Sequence, residues 1–407
     1  MMERVYLDWN ATAPLCHAAR EEMLAALSHV GNPSSVHAEG RKARALIERA
    51  RGHVAELVGS EPRGVIFTGG ASEAAQHALS PTWSVEGQAH PMGRLYVSAI
   101  EHPCVLAGGR FAATQVQKLP VTADGRLDLA ALQAALDDHD PAGGSPLVAV
   151  MAANNETGIV QPVAEAAAMT HARGGFLVCD AVQAVGRIPV DITRLGADAL
   201  LLSSHKIGGP QGAGALVLAS EAVLPTPLLT GGGQERRQRA GTENVAGIAG
   251  FGGAAAVAGR LLSDASNVAA LRDRLRRMLL ELTPSLHVIG AGVERLPNTL
   301  NVALPGASAE VLVAALDLLG IAVSAGSACS SGKTGRSHVL AAMGMAPEIA
   351  GGAIRISIGP KTTINEIEAL VDAWRKMPMT SPQQRPPSPA HMCGKFQDDR
   401  LSHARSA

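Results

Sequence analysis

The chain reads as an α/β protein: a large domain on a mainly parallel, covered sheet, followed by a smaller α/β domain. Three observations predict this. Short apolar runs alternate with helix-periodic stretches, which is the rhythm of βαβ units. The runs are apolar almost without interruption, as strands buried on both faces must be. The chain is 407 residues long and 46% hydrophobic, more core than one simple layer can use.

The elements follow in order. Residues 65–68 (VIFT) run into a Gly-Gly turn and the helical pattern GGASEAAQHAL. Residues 94–100 (RLYVSAI) lead to EHPCVLAGG, and 146–153 (PLVAVMAA) to NNETG. GFLVCDA (175–181), DALLLSS (198–204) and GALVLAS (214–220) are further strands, with a helix predicted at 163–174. Covered parallel sheets bind ligands at the carboxyl ends of their strands. Polar residues gather just there: Ser72, His102, Asn155, Asp180, His205 and Lys206. An Ala/Leu/Arg-rich stretch, 246–282, predicts one or two helices leaving the first domain. LNVALPG (300–306), the helical EVLVAALDLLG (310–320), AIRISIG (353–359) and a helix from Asn365 to Lys376 make the second. The remaining residues are proline-rich and aperiodic and read as a mobile tail. The expected boundaries are 15–255 for the large domain, 1–14 with 256–377 for the small one, and 378–407 for the tail.

Composition excludes several roles. A formal net charge of −1 gives no basic excess for nucleic acid or an anionic membrane surface. Aromatics are only 2%, too few for base-stacking platforms. The start, MMERVYLDWNATAPL, lacks the apolar core of a secretory signal, and no membrane span is expected. Cys16, Cys104, Cys179, Cys329 and Cys393 are an odd, scattered set, unlike a disulfide framework, so a reducing cytoplasm is the expected setting. His102 with Cys104, or His391 with Cys393, has no second ligand pair at metal-site spacing, and no metal is expected.

The loop SAGSACSSGKTGRS (324–337) poses a sharper question. It is glycine-rich, lies between a strand and a helix, and contains Gly-Lys-Thr, as a phosphate-binding P-loop does. But Gly326 and Gly332 enclose Ser327, Ala328, Cys329, Ser330 and Ser331, one residue more than a P-loop allows. Such loops work by aiming successive N–H groups at phosphate, so the register is lost. The central cysteine needs another explanation.

Lys206 supplies the context. It follows an apolar strand inside SSHKIGGPQGAG (203–214), and Asp180 ends another strand upstream. Taken singly, the lysine could be a surface residue and the aspartate a helix cap. Together they suggest pyridoxal phosphate: a lysine to form the Schiff base, and a carboxylate to keep the pyridine nitrogen protonated so that the ring accepts electrons. FTGGASEAAQ (67–76) offers a helix start for the phosphate, where free N–H groups and the dipole favour an anion. Ser203 and His205 are further candidate donors.

These residues stand in a recognisable order. From YLDWNATAP (6–14) through GNPSSVHAEGR, FTGGASE, EHPCV, NNETG, DAVQAVG, SSHKIGGPQG and GGGQERRQRAGTENV (231–245) to GSACSSG and IRISIG, the chain resembles the NifS/IscS-type cysteine desulfurases of the class V aminotransferase group. The resemblance covers about residues 4–375 and implies the fold type I architecture of pyridoxal-phosphate enzymes. It also implies roles. Lys206 would hold the cofactor, Asp180 would pair with the pyridine nitrogen, and Gln183 would contact the phenolic oxygen. His102 would stack on the ring and shuttle protons. Ala71, Ser72, Ser203 and His205 would bind the phosphate, and Thr242 would reach the phosphate of the other subunit of a homodimer. Asn155 and Arg355 would hold the carboxylate of L-cysteine, a task that suits the guanidinium fork. From the residues alone, His102 could instead be a satisfied core histidine and Arg355 a surface ion pair. One departure stands out: the family's Glu-Ser-Asp-Asn after the phosphate loop is here Glu73-Ala74-Ala75-Gln76.

The same resemblance answers the loop. Cys329 would be the sulfur acceptor, taking sulfur from the substrate as a persulfide and passing it to a scaffold or carrier protein, for iron–sulfur cluster assembly or another sulfur-requiring product. A thiolate is the nucleophile this needs, and small residues around it allow the loop to reach both cofactor and acceptor. Lys333 and Arg336 would then be surface charges. A selenocysteine lyase or another class V aminotransferase would share the Lys/Asp/phosphate set, but an aminotransferase has no need of Cys329.

Overall fold

The computed structural model describes residues 4–326 and 337–377. Cys329, Lys333 and Arg336, and the proline-rich stretch from residue 378, lie outside the described residues. In chain order the strands are β1 (Val5–Tyr6), β2 (Val65–Thr68), β3 (Thr82–Val85), β4 (Gln88–Ser98), β5 (Val116–Leu119), β6 (Ser145–Met151), β7 (Phe176–Asp180), β8 (Ala199–Ser203), β9 (Gly214–Leu218), β10 (Val223–Pro225), β11 (His287–Val288), β12 (Thr299–Ala303), β13 (Ile321–Ala322), β14 (Ser324–Ala325) and β15 (Ala353–Ser357).

A nine-stranded sheet runs β10-β3-β4-β6-β7-β8-β9-β2, with β5 also beside β4. Strands β5, β4, β6, β7 and β8 run parallel to one another, as the βαβ rhythm predicts. The run at 214–220 departs from that expectation: β9 is antiparallel to both β8 and β2. The connection 204–213 is too short for a crossover helix, so the chain can only turn back. At the other edge, β3 is antiparallel to β4 and to β10.

The uninterrupted apolar strands now have a cause. In β8, Leu200 and Leu202 face one layer and Ala199 and Leu201 the other. The first layer includes Ile47, Ala50 and Val54 of the helix Ala38–Leu57, with Ile248 and Phe251 of the helix Val245–Leu261. The second includes Ala74, Ala75 and Ala78 of the helix Ala71–Ala78. The family departure at Ala74-Ala75 therefore sits in the core, where small side chains let this helix lie close on the sheet.

The stretch 246–282 forms two helices, Val245–Leu261 and Ala265–Leu282, joined by a turn at Leu262–Asp264. Val245–Leu282 is long and apolar enough to cross a membrane by composition, with a mean hydropathy of 1.5. Its first half instead packs on the helices His17–Leu27 and Ala38–Leu57. Contact there is backbone-close: a Cβ on Gly252 would fall 2.5 Å from Ala50, and one on Gly253 2.7 Å from the Ala18 carbonyl.

A second, antiparallel sheet has the order β11-β12-β15-β14. Its core joins Leu300, Val302, Ile354 and Ile356 to Ile367, Leu370 and Trp374 of the helix Ile364–Lys376. That helix starts with a reciprocal capping box between Thr363 and Glu366. The N-terminal strand β1 pairs in parallel with β13, and Leu7 is buried in the same core.

Candidate active site

Five strand ends deliver the polar residues to one place. Strand β7 ends on Asp180. Strand β8 ends on Ser203 and passes into the short turn Ser204–Lys206. Strand β2 ends at Thr68, and Gly69-Gly70 then opens the helix Ala71–Ala78. The exits of β4 and β6 carry His102 and Asn155. A cavity of about 620 Å³ is lined by Ala71, Ser72, His102, Asn155, Asp180, Gln183, Ser203, His205, Lys206 and Arg355. The structure therefore brings together every described site residue expected from the sequence except one.

That exception is Thr242, which faces a neighbouring cavity of about 150 Å³ with Glu235, Arg239 and Asn244. The two cavities share Gly69, Gly212 and Ala213 as a wall. Just before it the backbone is strained: Glu235, Arg236 and Arg237 have φ of 45°, 54° and 67°. The turn is pinned by Glu235, which pairs with Arg51 through two contacts of 2.7 and 2.8 Å and accepts the Phe67 N–H at 2.9 Å.

Lys206 donates from Nζ to the carbonyls of Asn10 and Ala11, each at 2.7 Å. Asp180 is 7% exposed, and one of its oxygens accepts the Val182 N–H at 3.0 Å. Burial pushes its carboxyl up to about 6, against the pull of the Val182 hydrogen bond and nearby Lys206. A cation donor against this carboxylate would restore what burial removes.

His102 caps the helix Pro103–Leu106: its Nδ1 accepts the Cys104 N–H at 3.3 Å and lies 3.0 Å from the Cys104 sulfur. An accepting Nδ1 places the proton of the neutral ring on Nε2. Burial, with Lys206 and His338 adding repulsion, holds His102 down to about 4, so the ring is neutral at physiological pH. His205, within 3.2 Å of the Thr12 hydroxyl, is likewise held to about 4 by burial, Lys206 and Arg187.

Arg355 is not a surface ion pair. It is 2% exposed, and its two terminal nitrogens donate to Asp8 at 2.8 Å and to the Asn155 carbonyl at 2.9 Å. Its Nε is buried without a partner among the described residues. Asp8 in turn accepts the Ser324 hydroxyl at 2.7 Å.

The residues present fit pyridoxal phosphate. Lys206 and a solvent-poor Asp180 line the same space. The first turn of the helix Ala71–Ala78 lines it too, where backbone N–H groups lack intrahelical partners. Ser72, Ser203 and His205 supply further donors.

Sequence reasoning missed several supporting residues. Asn10 links Lys206, Gln183, Asn155 and Thr299 through hydrogen bonds of 2.7 to 3.3 Å. Glu101 is fully buried, accepts the Met151 N–H at 2.7 Å, and is pushed well above the carboxylate range by burial and by Asp180. Glu156 is 3% exposed and accepts the Ser337 hydroxyl at 2.5 Å. Both glutamates sit beside a motif residue, and adjacency was the available signal.

The chain matches the family Aminotransferase class-V over residues 5–370. It is 43% identical over 378 residues to a cysteine desulfurase of Cereibacter sphaeroides, covering 91% of this chain and 95% of that one. It is 39% identical over 375 residues to a cysteine desulfurase of Klebsiella pneumoniae, covering 91% of each. Among solved structures it superposes on a NifS-like protein of Rickettsia africae with a TM-score of 0.82 at 33% identity, covering 91% of this chain and 98% of that one. SspA in complex with cysteine gives a TM-score of 0.70 at 27% identity, covering 88% of this chain and 100% of that one.

Proposed function

The chain belongs to the class-V aminotransferase family, and from that premise we propose that it is a pyridoxal-phosphate-dependent cysteine desulfurase. It converts L-cysteine to L-alanine and leaves the sulfur as a persulfide on Cys329, for delivery to an iron–sulfur scaffold or other sulfur acceptor. The observation that carries this reading is the convergence of Lys206, Asp180, a helix N-terminus and Arg355 on one cavity.

The cofactor supplies an electron-accepting ring that stabilises the charge left when the substrate's α-proton is removed. The chain's own residues do the rest. Ala71, Ser72, Ser203 and His205 would hold the phosphate, and Asp180 would pair with the pyridine nitrogen. Neutral His102 would lie against the ring and relay a proton through Nε2. Arg355 and Asn155 orient the substrate carboxylate, with Asp8 bracing the guanidinium from behind. Lys206 takes the α-proton, and the Asn10 and Ala11 carbonyls are placed to hold the resulting ammonium. Cys329 then bonds to the substrate sulfur as the carbon–sulfur bond breaks. The two sulfurs are oxidised to a persulfide, and the carbon fragment takes up the electron pair and protons to become alanine.

Two copies of the chain complete two sites in this reading, Thr242 serving the partner's phosphate. Its place across a wall from its own chain's cavity supports that arrangement. A reducing, cytoplasmic setting suits a thiol that must stay free.

The test uses purified protein with bound cofactor. It should absorb visible light, form alanine from L-cysteine and carry persulfide on Cys329. Lys206→Ala should lose the native visible band. Cys329→Ser should keep the band and lose persulfide. Alanine and sulfide formed by Cys329→Ser at the wild-type rate would remove Cys329 from the reaction.

A further inference from the structure

We propose that Arg187 is a positioning residue that fixes the Gln183 amide as a hydrogen-bond donor toward the cofactor's phenolic oxygen. The inference rests on the reading above and adds a residue to it.

Arg187 follows the Asp180 strand end by two turns of chain. Although the residue as a whole is only part-buried, its guanidinium is turned inward onto oxygen acceptors from three segments. It donates to the Gln183 carbonyl at 2.6 Å and to the Gln183 side-chain Oε1. It also donates to the carbonyls of Trp9 and Lys206, each at 3.4 Å. No carboxylate pairs with it among the described residues. A desolvated guanidinium without a counter-charge is costly, and loss of solvent together with Arg355 lowers it to about 9, still charged at neutral pH. An apolar side chain would fill the space at less cost, so the charge points to a task.

The task follows from donor and acceptor types. A guanidinium only donates, so the Gln183 atom facing Arg187 must be Oε1. The opposite atom, Nε2, faces the Asn10 carbonyl at 3.1 Å, which only accepts. Both neighbours impose one orientation on the amide. Asn10 takes one of the two Nε2 hydrogens, and the other is available to the cavity that Gln183 lines. Without Arg187 only the Asn10 carbonyl, which also accepts from Lys206, would oppose the amide turning over to present an acceptor to an anionic oxygen. The other charged or titratable groups lining this cavity are Glu73, His102, Cys104, Asp180, His205, Lys206 and Arg355, and the substitution leaves each of them in place.

The experiment is a spectrophotometric pH titration of the bound cofactor's visible band in wild type, Arg187→Met, Gln183→Met and the double variant. Removing a donor from the phenolic oxygen makes that oxygen hold its shared proton more tightly, so the midpoint should rise by about one pH unit, the size of a lost hydrogen bond to a charged atom. Arg187→Met should reproduce most of the Gln183→Met shift, and the double variant should shift no further. An unshifted midpoint in Arg187→Met, or shifts that add in the double variant, would overturn the proposal. If Arg187→Met does not fold, Arg187→Lys serves. It keeps the charge but not the fork, and it should give a smaller rise in the same direction. A wild-type midpoint in Arg187→Lys would equally overturn the proposal. Absence of any visible band in the wild type would instead defeat the functional reading on which the inference stands.

Discussion

Replacing Glu156 by Gln should change how stability depends on pH. Glu156 is 3% exposed, and burial raises its carboxyl from 4.5 to about 7, against the pull of the Ser337 hydroxyl and Arg355. In the unfolded chain the group loses its proton near the ordinary value. Between the two values the folded protein holds a proton that the unfolded chain has released, so stability falls as pH rises through that window. The full loss, reached above pH 7, is about 3 kcal/mol as an order of magnitude. Glutamine keeps an acceptor oxygen for Ser337 and cannot ionise. The stability of Glu156→Gln relative to wild type should therefore improve by about 3 kcal/mol between pH 4.5 and pH 8. Glu101 imposes a dependence of the same sign, and His77, His102 and His205, each held near 4, impose losses at acid pH. These are common to both proteins and cancel in the difference. Urea denaturation at several pH values, with equal cofactor loading, gives the quantity directly. A stability gap that stays constant with pH, or narrows as pH rises, would show that Glu156 is ionised in the folded protein.

Two further outcomes are expected. Arg237→Gly should raise the thermal midpoint, because a φ of 67° strains any side chain but costs glycine nothing; the gain is about 1 kcal/mol before the greater freedom of the unfolded glycine is subtracted, and a lowered midpoint would show that the arginine makes a compensating contact. Mixing inactive Lys206→Ala with a severely impaired Thr242→Ala, under conditions where subunit exchange is demonstrated, should restore up to about half of wild-type turnover per mixed dimer, since both defects fall in one site and leave the other intact. No recovery would assign Thr242 to its own chain.

The strand ends were legible because β strands buried on both faces leave a plain apolar signature, and a polar residue ending such a run is conspicuous. Asp180, His205 and Lys206 were found that way. The antiparallel return of β9 was not, since GALVLAS is as apolar as its parallel neighbours and only the shortness of 204–213 distinguishes it. Ala74-Ala75 stood out only as a departure from the family pattern; those residues face the core, where small side chains let the helix lie close on the sheet. Arg355 could be read either way until its burial and its contact with Asp8 were known. That contact pairs residues at opposite ends of the chain, a distance over which local spacing says nothing.

The N-terminal segment shows most clearly why such residues escape a linear reading. Asn10 receives its backbone role from both sheets at once. Its N–H goes to Ser357 at 2.9 Å, its side chain contacts Thr299 and Asn298, and its carbonyl accepts from Gln183 and Lys206. Asn10 is 1% exposed, so each of these groups would be an unpaired buried polar atom if the segment moved away. The lysine that must change partners during the reaction thus has two backbone carbonyls of this segment among its partners. That makes the residues before the first helix part of the site even though none of their side chains needs to react.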